Sequence, residues 1–512
     1  MLVKVYGSSV FGIEATTITV EVNVAKGIGY HLVGLPDSAI KESSFRIEAA
    51  LQNIGYKLPG KKITLNMAPA DLHKEGSAYD LTLALGILTA SSQIQAENIV
   101  DYIIMGELSL DGSLQPIKGA LPIAIKAKEE GFKGFILPHQ NAKEAAIVEG
   151  LEVYGIEHIT DVIDFFNAGK ELKRTTVDTE KEFYAHLDEN HLDFADVKGQ
   201  ESIKRCMEIA AAGGHNIILI GPPGAGKTMI AKRLPTILPP MTMDEALETT
   251  KIHSVVGKIK SDFGLMTKRP FRSPHHTISD VALVGGGTYP QPGEISLSHN
   301  GILFLDELPE FKRSVLEVMR QPLEDREVTI SRAKFTITYP ASFMLVASMN
   351  PSPSGYFNDP DSPRVSSPAE IQRYLGKISG PLLDRIDIHI EVTPVPFEKL
   401  SDDRRGEPSS EIRKRVTKAR AIQTKRFENY KNIHHNAQMG VKQIRQFCKL
   451  DENSKMLLKT AMERLNLSAR AYDRILKVSR TIADLENKEN IEGSHISEAI
   501  QYRSLDREGW LG

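Results

Sequence analysis

GPPGAGKT, residues Gly221 to Thr228, is the stretch that decides the fold of this chain. It matches the phosphate-binding-loop pattern at every fixed position. It also follows a predicted strand and opens a predicted helix, which is the context that the pattern requires. Glycines let backbone N–H groups turn inward on phosphates. The loop residues expected to bind ATP are Gly221, Pro222, Pro223, Gly224, Ala225, Gly226, Lys227 and Thr228, with Lys227 on the β- and γ-phosphates and Thr228 on magnesium.

A second motif, ILFLDE, begins at Ile302 and places two carboxylates at the end of an apolar strand. Asp306 is expected to hold the magnesium shell, and Glu307 to orient or polarise the attacking water. The alternative interpretation is a surface turn after a strand. Together with the upstream loop, the motif indicates ATP hydrolysis with ATP and Mg²⁺ as the bound species.

Three further polar residues could complete such a site. Asn350 ends a third apolar run and could hydrogen-bond the γ-phosphate or the water, although Asn before Pro also begins turns. Phosphoryl transfer needs positive charge against the developing negative charge, often from a neighbouring subunit. Arg385 is the candidate for that role, and Arg470, with Arg474 one turn further on, could act within the subunit. For each arginine, the alternative is a surface ion pair.

Composition bounds the class of protein. The chain has 512 residues, with 41% hydrophobic and 25% charged, which is ordinary for a soluble globular protein of about three domains. Its net charge of -3 means that any affinity for nucleic acid must come from local patches. Two cysteines, Cys206 and Cys448, exclude a disulfide framework and suit a reducing cytoplasm. We identify neither a signal-peptide core nor a membrane span.

The chain divides into three blocks and a linker. Residues 1–167 mix alternating and helical segments, and their second half reads strand, helix, strand. Residues 168–190 are polar and are interpreted as a linker with room for a short helix. In residues 191–395, apolar runs alternate with helical patterns, which is typical of parallel strands between helices. In residues 396–512, apolar side chains recur at helical spacing between Ile475 and Leu485, which predicts an all-helical block.

With these motifs in place, the chain resembles the AAA+ ATPases of the magnesium-chelatase branch, specifically the ComM/YifB family. The resemblance covers nearly all residues. Beyond the ATP motifs, it is carried by the stretches DFADVKGQ (193–200), RPFRSPHH (269–276), GGG (285–287), GEISLSHNG (293–301) and ISGPLLDR (378–385).

The resemblance implies roles for the polar residues. The segment 193–200 is similar to the one that packs on adenine. Asn350 takes the sensor 1 position, Arg385 the arginine-finger position that acts on a neighbouring subunit, and Arg470 the sensor 2 position. The family further implies a hexameric ring, DNA-dependent ATPase activity and branch-migrating helicase activity in the recombination of incoming DNA.

The first block resembles the C-terminal domain of Lon proteases, which raises the hypothesis of a peptidase. The residues argue against it. Aligned with the Lon motifs, Ala78 takes the position of the serine nucleophile and Ile123 that of the lysine, and neither can do this chemistry. Ser77 and Lys118 lie nearby and leave open a displaced dyad. We expect no peptidase activity.

Many family members carry two Cys-x-Cys pairs after sensor 1 that look like a zinc site. Here those positions hold Ser352, Ser354, Arg364 and Ser366, which do not make a tetrahedral thiolate site, so we expect no structural zinc. The adjacent pair His275 and His276 makes a poor metal site, because neighbouring side chains diverge on most backbones. Ordinary polar contacts in a loop are at least as plausible for this pair.

Two segments are candidates for DNA contacts. The stretch 411–426, EIRKRVTKARAIQTKR, carries seven basic residues and one acid, and Ile412, Val416 and Ala419 share a helical face that the basic residues largely avoid. The alternative is a solvated helix face. The stretch 325–338 predicts a hairpin.

In related motors a hairpin at this place projects into the ring pore. Arg326, Arg332 and Lys334 would track phosphates there without reading sequence. Phe335 is more plausible as a packing residue than as a base-stacking platform.

The predicted fold class is α/β, with a Lon-protease-like α+β domain, a central parallel-sheet AAA+ domain and a C-terminal helical domain. The leading functional hypothesis is a cytoplasmic DNA-translocating ATPase that migrates branches or unwinds duplex as a homo-oligomeric ring. One alternative is a chelatase-type motor that remodels a protein partner. The other is a non-enzymatic scaffold gated by nucleotide.

Overall fold

The computed structural model describes residues 2–72, 74–185, 192–259, 264–287, 289–332, 335–355, 366–395 and 405–503. The chain packs as two compact units. The first comprises Met1–His186 and Thr242–Thr267, and the second comprises Leu187–Met241 and Lys268–Gly512. Arg364 and Lys334, together with the expected boundaries at 190/191 and after 395, lie on or beside residues outside this description.

Strands form in both units. Those of the first unit are β1 (Leu2–Phe11), β2 (Glu14–Ala25), β3 (Gly29–Val33), β4 (Lys62–Ala68), β5 (Tyr102–Ile104), β6 (Glu107–Leu108), β7 (Leu114–Gln115), β8 (Gly134–Pro138) and β9 (Glu152–Ile156). Those of the second are β10 (Ile217–Ile220), β11 (Phe271–Arg272), β12 (Gly285–Gly286), β13 (Gln291–Pro292), β14 (Ile302–Leu305), β15 (Glu327–Arg332), β16 (Phe335–Pro340), β17 (Met344–Met349) and β18 (Ile388–Glu391).

Helices alternate with these strands and then fill the C-terminal part. The first ten are α1 (Ser38–Asn53), α2 (Asp80–Ala90), α3 (Ala120–Glu129), α4 (His139–Ala145), α5 (Ile159–Ala168), α6 (Thr179–Ala185), α7 (Glu201–Gly213), α8 (Lys227–Arg233), α9 (Met243–Val255) and α10 (Asp280–Val284). The next are α11 (Glu294–Leu297), α12 (Arg313–Val318), α13 (Arg320–Asp325), α14 (Pro368–Leu375), α15 (Gly380–Leu383), α16 (Ser409–Arg426), α17 (Val441–Phe447), α18 (Glu452–Arg464), α19 (Ala469–Leu485) and α20 (Gly493–Gln501).

Short 3-10 turns connect several of these elements, at Ser77–Tyr79, Glu97–Asp101, Phe194–Asp196, Leu234–Thr236, Leu308–Glu310 and Asn436–Gln438. In the part of the chain that the structure describes, no helix is both long and apolar enough to cross a membrane.

The first unit is built on a seven-stranded mixed sheet in the order β3-β4-β2-β1-β5-β8-β9. The long hairpin of β1 and β2 is antiparallel, and β5, β8 and β9 add to it in parallel. Alternate residues of β2 are buried, as its alternating sequence predicts. The helix α2 is buried along its whole length and covers the sheet. Strand and helix together give the predicted α+β domain.

The second unit is built on a parallel sheet in the order β11-β14-β17-β10-β18. Its central strands are short apolar runs with every residue buried, as expected for parallel strands covered on both faces. Because the strands are parallel, the ends of β10, β14 and β17 meet at one edge of the sheet. This edge receives the loop at Gly221, the carboxylates after Leu305 and Asn350.

The C-terminal helices share a hydrophobic core with this sheet rather than forming a separate one. In α19, Ile475, Val478 and Ile482 are buried, which confirms the predicted helical spacing. Ser468 caps the N-terminus of this helix by accepting a hydrogen bond of 3.2 Å from the backbone N–H of Ala471. The predicted parallel-sheet domain and its helical C-terminal part are both present.

Residues 242–267 differ from the expected division, because they pack with the first unit although they lie within the predicted ATPase block. Their helix α9 begins with a capping box at Thr242 and Glu245. At its end, the Ser254 carbonyl accepts a 3.0 Å hydrogen bond from the Gly119 N–H, and its hydroxyl donates to the buried Glu144 carboxylate. Burial raises the pKa of Glu144, and the Ser254 hydrogen bond opposes that shift.

Candidate active site

The phosphate-binding loop connects the buried strand β10 to the helix α8. Gly226 precedes the helix with φ of 87°, a left-handed conformation that favours glycine. Gly221 is required by close packing, since a Cβ placed there would lie 2.2 Å from the Val392 carbonyl oxygen of the neighbouring chain segment. The glycines of the motif are therefore explained by backbone geometry as well as by phosphate binding.

Lys227 lies folded back into the loop. Its Nζ donates to the carbonyl oxygens of Gly221 at 2.6 Å and Pro222 at 2.9 Å, and to Asn350 Oδ1 at 3.0 Å. Burial lowers the pKa of Lys227, while the charges of Asp306 and Glu307 act in the opposite direction. The structure thus brings Lys227 and Asn350 together, as the sequence motifs require.

Thr228 and Asp306 also meet. The hydroxyl of Thr228 donates to Asp306 Oδ2 at 2.8 Å, and the hydroxyl of Ser348 donates to Asp306 Oδ1. This arrangement places a hydroxyl oxygen and a carboxylate at one point, the hard oxygen ligands that Mg²⁺ prefers. The residues present therefore fit the expected ion. Ser348, on β17, is a contributor that the sequence analysis did not identify.

Glu307 adopts a left-handed backbone conformation, with φ of 55°. Its N–H donates to Asp306 Oδ1 at 3.2 Å and to Ser348 Oγ at 3.4 Å, which fixes the turn. The carboxylate itself is 57% exposed and lies 3.6 Å from His276 Nδ1. An accessible carboxylate beside the metal ligand can act on a water molecule.

His276 is therefore a polar neighbour of the Glu307 side chain. Its ring packs on that of His275, with 4.0 Å between centroids, while His275 Nδ1 contacts the hydroxyl of Thr277 at 2.9 Å. From the sequence, ordinary loop contacts are at least as plausible for this pair as a catalytic or ligand role. No local pattern links His276 to a strand end that lies about thirty residues further along the chain.

The two predicted arginines bind carboxylates within the same unit. Arg385 donates to the Pro381 carbonyl oxygen at 2.6 Å and pairs with Glu324, and only 11% of its side chain is exposed. Arg470 pairs with Asp384 at 2.5 Å, and 67% of its side chain is exposed. Their described carboxylate partners, Glu324 and Asp384, both lie outside the loop at Gly221.

Arg474 has a different environment from Arg470. It pairs at 2.8 Å with Asp387, which is buried and also contacts His215 Nδ1 at 3.1 Å. Although burial raises the pKa of Asp387, Arg474 and His215 outweigh it and hold that pKa well below its usual range. Arg474 thus belongs to a buried polar network and not to an accessible surface.

The segment 193–200 lies against the loop. Gln200 donates from Nε2 to the Ala225 carbonyl oxygen at 3.1 Å and to that of Thr393 at 3.0 Å. Arg233, at the end of α8, donates to the Asp193 carbonyl oxygen at 2.8 Å and pairs with Asp196 at 3.0 Å. The segment is therefore tied to both ends of the phosphate-binding element.

The serines at the positions of the Cys-x-Cys pairs form a hydroxyl cluster. Ser354 Oγ lies 2.9 Å from Ser352 Oγ and accepts from Ser366 Oγ at 3.0 Å. Arg364 lies outside the described residues. Among those described, no group of three or more His, Cys, Asp or Glu side chains could hold a metal ion. The expectation of no zinc stays a prediction.

In the first unit, the residues aligned with the Lon dyad have other surroundings. Ile123 is buried in α3, and the Ser77 hydroxyl donates to the Glu107 carboxylate. Lys118 is exposed and lies near Glu75, whose pKa is raised to about 7 by burial and by Asp37, with Lys118 opposing the rise. The hydroxyl of Ser77 is thus directed to an acid and not to an amine.

Both DNA-contact candidates form the elements expected. The hairpin is β15 paired with β16 in antiparallel register, and Arg332 is exposed near its tip. Lys334 lies outside the described residues. In α16, Ile412, Val416 and Ala419 are buried on one face, as predicted.

Three family models and several known proteins are similar to this chain. The family model described as magnesium chelatase, subunit ChlI, matches residues 193–400, and two further models of that subunit match residues 20–141 and 406–503. The chain is 45% identical over 508 residues to competence protein ComM of Haemophilus influenzae, covering 99% of this chain and 98% of the relative.

Two other relatives extend the picture. The YifB protein of Escherichia coli is 44% identical over 506 residues, covering 98% of this chain and 97% of that protein. Lon protease 2 of Bacillus subtilis is 30% identical over 129 residues, which are 25% of this chain and 23% of the protease. With its phosphate-binding loop, its parallel sheet and these full-length relatives, the chain belongs to the ComM/YifB family of magnesium-chelatase-like AAA+ ATPases.

Proposed function

We propose that the protein hydrolyses ATP at the sheet edge formed by β10, β14 and β17, and uses the energy to move along DNA. Two hydrogen bonds at this edge support ATP hydrolysis there. Lys227 donates to Asn350 at 3.0 Å, and Thr228 donates to Asp306 at 2.8 Å. Four residues from three separate motifs converge there with Glu307 accessible beside them.

Each residue has a proposed task. Lys227 exchanges its loop carbonyls for the β- and γ-phosphate oxygens, and Asn350 hydrogen-bonds the γ-phosphate or the attacking water. Glu307 orients that water. Thr228 and Asp306 would hold Mg²⁺, which when bound supplies positive charge against the phosphate oxygens. The backbone N–H groups of residues 221–228 complete the phosphate cradle.

Positive charge at the transition state is assigned to two arginines. Arg470, exposed at the start of α19, acts as sensor 2 within the subunit, after leaving Asp384. Arg385 acts as the arginine finger on a neighbouring subunit, which requires a homo-oligomeric ring, by family resemblance a hexamer. The division into residues 1–167, 168–190, 191–395 and 396–512 is likewise proposed as the functional one.

DNA as the track is supported by family membership and by the name of the Haemophilus relative, a competence protein. We propose a cytoplasmic helicase or branch-migration factor that binds single-stranded or branched DNA without sequence preference, during natural transformation. The hairpin of β15 and β16, with Arg332 exposed, is the proposed pore element. The first unit is proposed to have no peptidase activity, and ATP-dependent casein cleavage that Ser77→Ala abolishes would contradict this.

The test compares wild type with Glu307→Gln in ATPase and branch-migration assays, with and without a four-way DNA junction. We expect the wild type to hydrolyse ATP faster with the junction and to migrate it. Glu307→Gln is expected to bind ATP but to lose at least about a hundredfold in turnover, in line with the loss of one positioned catalytic group. Equal turnover of the two proteins would refute the assigned role of Glu307.

A chelatase-type motor that remodels a protein partner is a second candidate, because the matching family models describe a magnesium chelatase subunit. Hydrolysis that no DNA accelerates would favour it. The third candidate, a scaffold gated by nucleotide, predicts tight ATP binding without turnover. The presence of Lys227, Asp306 and Glu307 argues against it.

A further inference from the structure

The helix α16 has a basic sequence, but its basic side chains are not equivalent. Arg415 pairs with Glu208 at 2.5 Å and with Glu407, and Arg426 pairs with Asp484 at 2.5 Å. Arg420 donates to the carbonyl oxygens of two residues at the end of α7, at 2.9 and 3.1 Å. These three arginines bind the helix to neighbouring elements of the second unit, so their charges are used within the fold.

A different stripe of the helix faces a groove. The residues of this stripe repeat at helical spacing. Together with Pro240, which follows α8 and its 3-10 turn, they line a groove of about 470 Å³. The lining residues are Pro240, Ser410, Arg413, Lys414, Thr417, Lys418 and Ala421. We name it the α16 groove. Lys414 and Lys418 are exposed, and Lys414 also contacts the neighbouring Glu411 at 2.7 Å.

The chemistry of the α16 groove suits phosphate esters. Apolar side-chain stems form most of its surface, and its described lining residues carry three cationic groups and two hydroxyls but no carboxylate. Its stripe runs from Ser410 to Ala421, about 17 Å of helix, which matches the rise of about five base pairs. Since the chain as a whole carries a net charge of -3, such a local cluster is what attraction to a polyanion needs.

The N-terminus of α16 is tied to the nucleotide-binding elements. Ser409 Oγ lies 2.7 Å from Thr236 Oγ1, in the turn that follows α8, and accepts from the Phe194 N–H at 2.8 Å. The Ser409 N–H donates to Asp193 Oδ1 at 2.9 Å. Both Ser409 and Thr236 are buried. These contacts join the start of α16 to the turn that follows α8, the helix that carries Lys227.

We propose that the α16 groove binds the phosphodiester backbone of DNA and that this contact stimulates ATP hydrolysis through the Ser409–Thr236 hydrogen bond. The inference rests on the proposed function, and it assigns the DNA contact to a surface outside the hairpin of β15 and β16. Contacts of this kind position the backbone and do not read sequence.

The test reverses two charges in the groove, Lys414→Glu with Lys418→Glu. The matched control is Lys455→Glu with Lys459→Glu on α18, which has the same spacing and the same charge change, and in which Lys455 pairs with Glu452 as Lys414 pairs with Glu411. Binding of a fluorescent duplex and of a single strand is measured by anisotropy over a range of salt. Basal and DNA-stimulated ATPase rates are measured on the same preparations, and circular dichroism checks folding.

We expect the groove variant to bind DNA at least about tenfold more weakly, with a salt slope reduced by about 2 because two phosphate contacts are lost. Its basal ATPase rate should stay within about twofold of wild type, while DNA stimulation disappears. Should the reversal unfold the protein, Lys414→Gln with Lys418→Gln takes its place, with the same expectations at smaller size.

Three outcomes separate the possibilities. A groove variant with wild-type affinity and salt slope overturns the groove assignment and leaves the proposed function standing. An equal loss in the α18 control also overturns it, because the effect would then reflect net charge. A wild type that neither binds DNA nor responds to it refutes the proposed DNA function and the groove together.

Discussion

Arg470 and Arg474 lie one helical turn apart on α19, but we expect their substitution by alanine to affect different properties, catalysis and stability. Arg470 is mostly exposed and pairs with a half-exposed Asp384, so its removal costs little folding free energy. We expect Arg470→Ala to lower the ATPase turnover number by at least about tenfold, because charge at the transition state is lost. Its melting temperature should stay close to that of wild type.

Arg474→Ala should show the opposite pattern. Its partner Asp387 is buried, so removal of Arg474 leaves this carboxylate with its His215 contact but without its ion pair, and destabilises the fold by about 3 kcal/mol. Denaturant titration and steady-state ATPase assays on the two variants decide the matter. If Arg474→Ala folds like wild type and loses turnover while Arg470→Ala does not, the sensor 2 role belongs to Arg474.

His276 is predicted to position the catalytic carboxylate. Its Nδ1 lies 3.6 Å from Glu307 Oε2, and the ring is held by stacking on His275. We expect His276→Ala to lower the turnover number about fivefold, which corresponds to about 1 kcal/mol of lost orientation, without a change in the dissociation constant for ATP. His276→Asn, which keeps a donor, should recover part of the rate.

The control for this prediction is His275→Phe, which keeps a ring against that of His276 and removes no contact to Glu307. A turnover number that is unchanged in His276→Ala, or a loss that appears only as weaker ATP binding, would show that His276 has no part in positioning Glu307.

At the scale of elements, much of the second unit could be predicted. The apolar runs before Gly221, Asp306 and Asn350 each form a buried parallel strand, as predicted. This succeeded because short apolar runs bounded by turn residues have few other uses in a chain with helices between them. The meeting of the strand ends then follows from parallel topology.

Other elements carried no local signal. The helix α9 lies within the predicted ATPase block but packs with the first unit. That packing depends on contacts such as the one between Ser254 and Glu144, which are 110 residues apart in the chain. His276 lies near Glu307 in space but is likewise far from it in the sequence. Such contacts are set by the tertiary fold, and neither periodicity nor composition in a single sequence reports them.

The loop after β17 offers a prediction about metal binding. Its three hydroxyls form a cluster, with Oγ distances of 2.9 and 3.0 Å. Sulfurs bound tetrahedrally to zinc at about 2.3 Å lie about 3.8 Å apart, so three thiolates here would hold the ion after moving apart by roughly 0.8 Å. We expect the triple change Ser352→Cys, Ser354→Cys and Ser366→Cys to give a protein that retains about one zinc ion per chain after dialysis, as measured by plasma mass spectrometry. Water can supply the fourth ligand.

The wild type and the corresponding triple alanine variant are the controls, and both should retain no zinc. Stoichiometric zinc in the wild type would contradict the expectation drawn from its serines. A folded triple cysteine variant without metal would show that the hydroxyl cluster does not have the geometry of a thiolate site.

At the scale of the whole molecule, the contacts of Arg385 affect how it could act on a neighbouring subunit of the proposed ring. Its side chain is largely buried, held by Glu324 and by the Pro381 carbonyl oxygen. Glu324 is itself 59% exposed, so a neighbouring subunit can reach this pair. In the proposed ring each interface joins two different surfaces, as in any heterologous closed assembly. The finger would then exchange Glu324 for the phosphates bound by the next subunit.

This arrangement predicts complementation between two inactive variants. Lys227→Ala cannot bind phosphates, and Arg385→Ala cannot supply the finger, so each alone should have less than about a hundredth of the wild-type ATPase rate. In an equal mixture, about a quarter of interfaces combine an intact Lys227 with an intact Arg385, because each occurs with even odds in a heterologous ring. We therefore expect the mixture to recover up to about a quarter of wild-type activity. A mixture as inactive as its components, in rings shown by native mass spectrometry to contain both variants, would place Arg385 outside the neighbouring site.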